Sequence, residues 1–171
     1  LAARNAIVKE LPAVETLGFT SAINSDKTGT LTMNQMTVVE VVDPGDRYTV
    51  TGSGYGLEGE IQHAAGTSSS IDAAILPFLV ANDGRIVDGQ VIGDPTEGAL
   101  LVLGHKAGLD LAETQERLPR LATLPFDPTY KLMATFNRAT DDHGRPVVRV
   151  HVKGAAPAVM DRAATALSGG A

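Results

Sequence analysis

The sequence predicts an α+β fold. Three strand-like runs, over 121–126, 131–137 and 147–152, are separated only by turn signals. Helical patterns lie before and after this group, so strict β–α–β alternation is absent. The chain has 171 residues with 43% apolar content, which is enough for one ordinary core, with or without a short appendage.

The clearest helix start is at Asp94. This capping residue is followed by a proline and, three positions after the cap, by Glu97. We expect the helix to continue to about Lys106 and to stop at Gly108, since glycine commonly ends helices. Further helices are predicted over 71–80, 111–117 and 156–167, with one or two short helical turns over 3–17 that Pro12 interrupts.

The first half of the chain contains weaker strand patterns. Strands are predicted over 19–25, 34–42 and 47–51. The turn signal at 43–46 would join the last two into a hairpin. Residues 52–59 contain four glycines and are interpreted as a loop, because their Gly-Ser-Gly string is not followed by a full dinucleotide or Walker pattern. Residues 64–70 are interpreted as a second loop.

Composition excludes several classes of function. The net charge of −6 and the isoelectric point near 5.1 argue against nucleic acid as a partner. The chain has no cysteine, which removes disulfides and cysteine metal sites. No apolar run approaches the ~20 residues that cross a bilayer. Because the chain starts at Leu1 without a methionine, we expect a soluble piece of a longer protein.

The octapeptide Ser-Asp-Lys-Thr-Gly-Thr-Leu-Thr at 25–32 carries the strongest chemical signal. A carboxylate such as Asp26 can act as a nucleophile toward phosphorus. Lys27 supplies positive charge for a transferring phosphoryl group, and Gly29 lets backbone amides approach oxygens closely. A strand over 19–25 would place Asp26 at a carboxyl end, where open α/β sheets bind ligands. The alternative is a surface turn.

This octapeptide resembles the phosphorylation signature of the P-type ATPases. Segments 94–100, 125–133 and 152–155 resemble, in the same order, parts of the family's nucleotide domain. Segment 3–18 resembles the family's approach to the phosphorylated aspartate and is most similar to the calcium-pump and sodium-pump subgroup. The resemblance implies a mainly antiparallel sheet flanked by helices in a nucleotide-binding domain at 35–171. Residues 1–34 would be part of a haloacid-dehalogenase-like phosphorylation domain.

The resemblance also implies roles for individual residues. Asp26 and Lys27 would be catalytic, and Mg²⁺ would be held by Asp26 and by the carbonyl of Thr28. The residues that would bind ATP are Glu97, Phe126, Lys131, Lys153, Gly154 and Ala155.

Each nucleotide-site residue also has an ordinary structural interpretation. A phenylalanine in a strand, such as Phe126, is usually a core residue. Lys131 and Lys153 could be solvated lysines at strand ends, and Glu97 could be the acid of a helix-opening capping box. The resemblance favours the functional interpretation for Phe126 and Lys153.

Two positions depart from the family pattern. Two residues after the stacking phenylalanine, calcium pumps usually carry an arginine that reaches the nucleotide phosphate, and this chain has Pro128. The family usually continues its Lys-Gly-Ala triad with proline and glutamate, whereas Ala156 and Pro157 follow here. We expect the helix start after the triad to differ slightly.

The predicted function is therefore an ATP-binding fragment of a P-type cation pump that works through an aspartyl phosphate. The alternative is a phosphohydrolase of the haloacid dehalogenase type using the same aspartate. Such phosphatases usually place a second aspartate two residues after the nucleophile, where this chain has Thr28, which cannot act as an acid or base near neutral pH. Since the family's later Thr-Gly-Asp and Gly-Asp-Gly segments are absent, we expect ATP binding without turnover.

The resemblance implies further partners. They are the remaining phosphorylation, actuator and transmembrane domains of a parent pump, on the cytoplasmic side of the cell membrane. Calcium is the favoured ion from the subgroup, although the ligands of the ion are expected on membrane helices.

Overall fold

The computed structural model describes residues 12, 18–63 and 71–166. The chain divides into two compact units, 1–34 and 35–171. Their assignment to a phosphorylation domain and a nucleotide-binding domain stays a prediction. The elements with described bounds are β1 (Glu40–Val42), β2 (Arg47–Val50), β3 (Ile61–His63), α1 (Asp72–Val80), β4 (Arg85–Val87), β5 (Gln90–Ile92), α2 (Pro95–Lys106), α3 (Leu111–Arg117), β6 (Arg120–Asp127), β7 (Leu132–Thr140), β8 (Pro146–Gly154) and α4 (Ala156–Met160).

The described strands pair in three antiparallel sheets, ordered β1-β2-β3, β4-β5 and β6-β7-β8. The α+β class and the antiparallel pairing are confirmed. The strands are divided among three small sheets, whereas a single sheet was expected.

The predicted hairpin is present as β1 and β2. Its turn is held by the Asp43 carboxylate, which accepts hydrogen bonds from the backbone N–H groups of Gly45 (2.9 Å) and Asp46 (2.7 Å). Strand β1 begins at Glu40 and not at residue 34, because its ladder with β2 extends only from Glu40, paired with Thr49, to Val42.

Helices α1, α2 and α3 form where they were predicted. Helices α1 and α2 pack against each other. Gly104 allows this contact, since a Cβ atom at that position would overlap the Leu79 side chain. The main core cluster consists of Val50, Ile75, Leu79, Leu101 and Leu103.

The third sheet contains the three strands predicted in the second half of the chain. Its middle strand, β7, is the most buried, with Met133 and Thr135 almost inaccessible. The C-terminal end of α1 contacts this strand, where the Thr135 hydroxyl donates to the Val80 carbonyl at 3.4 Å. Val80, Leu118 and Ala139 form a second core cluster at this junction.

Two predicted elements are wrong. Residues 20–25 form no strand, and Phe19 and Ile23 are 87% and 88% exposed. A strand needs a neighbour to satisfy its backbone groups, and within the described residues none pairs with this segment. Helix α4 ends at Met160, well before 167, and contains no buried residue that could stabilise further turns.

Other expectations fall outside the described residues. These are the helical turns over 3–17, apart from Pro12, which is helical, and the loop over 64–70. Within the parts of the chain that are described, no helix has the length and apolar character needed to span a bilayer.

Candidate functional site

The second unit contains a cleft of about 790 Å³, within the range of small-molecule sites. It lies where the end of α1, the start of α2 and the third sheet meet. The lining residues are Phe78, Asp83, Gly93, Asp94, Thr96, Glu97, Leu100, Phe126, Met133, Lys153, Gly154 and Ala155. Five of the six predicted nucleotide-site residues are therefore brought together, and Lys131 is not among the lining residues.

The first turn of α2 places Glu97 in the cleft. The Asp94 side chain caps the helix by accepting a hydrogen bond from the Thr96 N–H at 2.8 Å. The Glu97 carboxylate does not fold back onto this helix start as a capping box. Its Oε2 instead accepts from the backbone N–H groups of Asp83 (2.6 Å) and Gly84 (3.0 Å), in the turn after α1.

Glu97 also pairs with Lys153 at the end of β8. Lys153 Nζ lies 2.6 Å from Glu97 Oε1, and the two side chains are only 11% and 16% exposed. Because isolated charges are costly to bury, each of the two groups offsets the burial cost of the other. A carboxylate has room for about four donors. Glu97, with three donors, can therefore accept one more hydrogen bond, and the Lys153 ammonium has further N–H groups to donate.

Phe126 reaches the cleft through a bulge in β6. Leu124 pairs with Ala134 and Asp127 with Leu132, so Pro125 and Phe126 together lie opposite Met133. One extra residue reverses the alternation of side chains, and Phe126 therefore lies on the same face as Met133. Its ring is 59% exposed, so the core interpretation is wrong. Pro125, which has no N–H to donate, was the available sequence signal for the bulge.

Gly154 is required by a close backbone approach. A Cβ atom there would overlap the Lys131 carbonyl oxygen and lie 2.7 Å from the Leu132 Cβ. The next residue, Ala155, donates its N–H to the same Lys131 carbonyl at 2.9 Å. The end of β8 is thus fixed against the start of β7, and the small residues leave the cleft open beside Lys153.

Lys131 has an exposed side chain and a left-handed backbone, with φ of 55°. The turn before it is held by Asp127, whose Oδ1 accepts from the N–H groups of Thr129 (2.7 Å) and Tyr130 (3.2 Å). These two hydrogen bonds lower the pKa of the Asp127 carboxyl. Lys131 supports the site only through its carbonyl, which binds the Ala155 N–H, and a contact of its ammonium with nucleotide stays a prediction.

Sequence reasoning missed several residues that shape the cleft, including Asp83, Gly84 and Tyr55. The Tyr55 hydroxyl donates to the Pro95 carbonyl at 3.3 Å, against the first turn of α2. Burial, and secondly the charge of Asp94, raise the pKa of Tyr55. The sequence offered one signal for this contact, a glycine inside the predicted helix α2. A Cβ atom at Gly98 would lie 2.9 Å from the Tyr55 ring, so only glycine leaves room for it.

The loop that carries Asp26 belongs to the first unit. Asp26 Oδ1 accepts from the Lys27 N–H at 2.7 Å, and the Lys27 carbonyl accepts from the N–H groups of Leu31 (3.0 Å) and Thr32 (3.1 Å). Gly29 has φ of 77°, which favours glycine. Asp26 and Lys27 are exposed, and a position at the end of a strand is not observed.

The sequence matches a known protein family. Residues 72–171 match the sequence model of the family described as P-type ATPase, cytoplasmic domain N. The chain belongs to this family.

Its relatives are cation transporters by name. The chain is 39% identical over 176 residues to cation-transporting ATPase pma1 of Synechocystis sp., covering 95% of the chain and 19% of the relative. It is 37% identical over 163 residues to calcium-transporting ATPase 1 of Lactococcus lactis, covering 95% and 17%. It is 42% identical over 138 residues to calcium-transporting ATPase type 2C member 1 of Bos taurus, covering 77% and 14%. The chain thus spans at most a fifth of the length of these relatives.

Proposed function

We propose that residues 35–171 bind ATP in the cleft, as the nucleotide-binding domain of a P-type cation pump. The observation that carries this proposal is the combination of groups in one cleft. An exposed aromatic ring, a nearly buried carboxylate–ammonium pair and a small-residue segment line the same space of about 790 Å³.

These groups suit the parts of a nucleotide. An adenine ring needs a flat apolar platform, which Phe126 offers, with Met133 and Leu100 nearby in the lining. The remaining acceptor capacity of Glu97 suits an exocyclic amino group. The Lys153 ammonium suits phosphate oxygens, and Gly154 lets the ligand approach the backbone. The exposed Lys131 side chain would add a contact to the base or phosphates.

In the whole protein, an Asp26 carboxylate oxygen would bond to the γ-phosphorus of ATP while the bond to the β-phosphate oxygen breaks and ADP leaves, with Lys27 neutralising charge. Residues 1–34 would belong to the haloacid-dehalogenase-like phosphorylation domain. The Asp26 carboxylate and the Thr28 carbonyl are hard oxygen donors, as Mg²⁺ prefers, and they would hold it together with waters and phosphate. Among the described residues no group of three or more His, Cys, Asp or Glu side chains could hold a metal ion. Bound Mg²⁺ supplies charge neutralisation of the phosphates.

The parent protein would transport a metal cation across a membrane. The names of the relatives support a cation, and several of them name calcium. The domain would work on the cytoplasmic side, together with the rest of the phosphorylation domain and the actuator and transmembrane domains.

Titration of the chain with ATP while amide NMR shifts are recorded tests the proposal. We expect the shifts of Glu97, Phe126, Lys153 and Gly154 to move together, and those of the β1–β2 hairpin to stay constant. Tripolyphosphate is the matched control ligand, because it lacks the base and should leave the Phe126 shift unchanged. No shift near 1 mM ATP, a weak-site concentration corresponding to about −4 kcal/mol, would contradict ATP binding.

A phosphate-release assay addresses turnover. We expect no phosphate from ATP or from p-nitrophenyl phosphate in the presence of magnesium. Steady release that disappears in Asp26→Asn would show a phosphohydrolase instead.

A further inference from the structure

We infer that Arg120, which does not line the cleft, is a positioning residue for it. Arg120 holds the turn after α1, and the backbone N–H groups of this turn fix the Glu97 carboxylate. The effect on ligand affinity rests on the proposed ATP site, whereas the effect on the turn does not.

The Arg120 guanidinium contacts three acceptors at the end of α1. Nη1 lies 2.5 Å from the Asp83 carboxylate, and Nη2 donates to the carbonyls of Val80 (3.0 Å) and Asn82 (2.5 Å). The last carbonyls of a helix have no partner within the helix. A planar guanidinium with several fixed donors can satisfy such a group of acceptors together, and a lysine ammonium cannot match that geometry.

Asn82 joins the same turn to α2. Its side chain is buried, with 3% of the residue exposed. Its Nδ2 donates to the carbonyls of Phe78 (3.2 Å) and Glu97 (3.1 Å), and its Oδ1 accepts from the Gly84 N–H at 2.8 Å. The turn is therefore attached to the backbone of the residue whose side chain it holds.

The turn then presents two N–H groups to one carboxylate oxygen. Asp83 and Gly84 donate to Glu97 Oε2, while Lys153 occupies Oε1. Without these two donors, the carboxylate could rotate about its side-chain bonds and follow Lys153. Arg120 thus fixes the position of the Glu97 carboxylate through this turn, without contacting the ligand itself. It lies on β6, the strand that also carries Phe126, so one strand supports two parts of the site.

The first experiment compares substitutions of Arg120 in the ligand-free chain. Arg120→Gln should speed amide hydrogen exchange at Asp83 and Gly84 and move their shifts. Arg120→Lys should behave in the same way, because an ammonium group keeps the charge but cannot donate to the three acceptors with the planar geometry of a guanidinium. Arg138→Gln, an exposed arginine on the neighbouring strand β7, is the control and should leave both amides unchanged. Unchanged exchange in Arg120→Gln, or full rescue by lysine, would overturn the inference.

The second experiment tests whether Arg120 acts through Glu97. Arg120→Gln should weaken ATP binding about fivefold, a typical size for coupled contacts outside a site. In a Glu97→Gln background the same change should have almost no further effect. An equal loss in both backgrounds would mean a general structural role and would overturn the inference. If the unaltered chain binds no ATP, the proposed function fails, and the exchange measurement still decides whether Arg120 holds the turn.

Discussion

The loop around Asp26 and the cleft around Glu97 are held by different kinds of contact. The hydrogen bonds that form the turn after Asp26 join residues at most five positions apart. In the cleft, Glu97 bonds to Gly84, 13 positions away, and to Lys153, 56 positions away. The Asp26 loop can therefore keep its shape with little help from the rest of the chain, whereas the cleft exists only when distant elements pack. Substitutions in the cleft should therefore lower the stability of the chain, whereas a substitution in the Asp26 loop should leave it unchanged.

Gly154→Ala should have the largest effect on the cleft. The new Cβ would overlap the Lys131 carbonyl, and the strands would have to separate at the point where Ala155 is bound. We expect a loss of about 3 kcal/mol in the free energy of unfolding, the upper range for overpacking. Urea denaturation measures this loss. Gly45→Ala is the control, since a Cβ there meets its nearest atom at an ordinary 3.8 Å. Equal stability of the two variants would show that the close approach at Gly154 is not needed.

Lys153→Gln should have the next largest effect. It leaves the Glu97 carboxylate in a nearly buried position without its cation, at a cost of about 2 kcal/mol in unfolding free energy after allowance for the remaining exposure. Arg145→Gln breaks the Arg145–Asp141 pair, whose arginine is 71% exposed, and should cost less than about 0.5 kcal/mol. Thermal and urea unfolding of both variants compare the pairs. A larger loss of unfolding free energy in Arg145→Gln than in Lys153→Gln would contradict a stabilising role of the Glu97–Lys153 pair.

Phe126→Ala should affect binding and leave stability nearly unchanged. The exposed ring contributes little to the core, but loss of stacking should weaken ATP binding several-fold, or about 1 kcal/mol. Isothermal titration measures the affinity. Tyr130→Ala removes a similarly exposed ring, 57% accessible and outside the cleft lining, and should bind ATP normally. Loss of cooperative unfolding in Phe126→Ala would instead identify a core residue.

Asp26→Asn should have the smallest effect on this chain. Its carboxylate bonds only to the next backbone N–H in the contacts described above, and an asparagine oxygen can accept the same bond. ATP affinity and unfolding should both remain unchanged, whereas transport by the proposed parent pump should be abolished. A large change in ATP affinity, measured by titration, would contradict a nucleotide site built from residues between 78 and 155.

Local signals explain which parts of this arrangement were predictable. The start of α2 was predicted because its cap, proline and first-turn acid are adjacent in sequence. The contacts of the Glu97 side chain could not be predicted, because its partners Gly84 and Lys153 come from other parts of the chain. The prediction of a strand before Asp26 was wrong for a related reason. An apolar run forms a strand only where another strand pairs with it.

The resemblance to a family supplied what local patterns could not. It selected Phe126 and Lys153 as site residues when each had an ordinary structural alternative, and both line the cleft. Arg120 carried no such signal, because its function in the structure depends on carbonyl groups whose position is set by the end of α1.

The bulge at Pro125 and Phe126 decides which side of the sheet the ring faces. In a strand that continued the alternation of Leu124 without a bulge, Phe126 would face the same side as Leu124, away from Met133. The extra residue places both Pro125 and Phe126 on the Met133 side. Deletion of Pro125 would remove the bulge and leave Phe126 directly opposite Met133, so the ring should keep its side. The side of the ring is thus set by the pairing that follows the bulge, Asp127 with Leu132, and not by the number of residues that precede it.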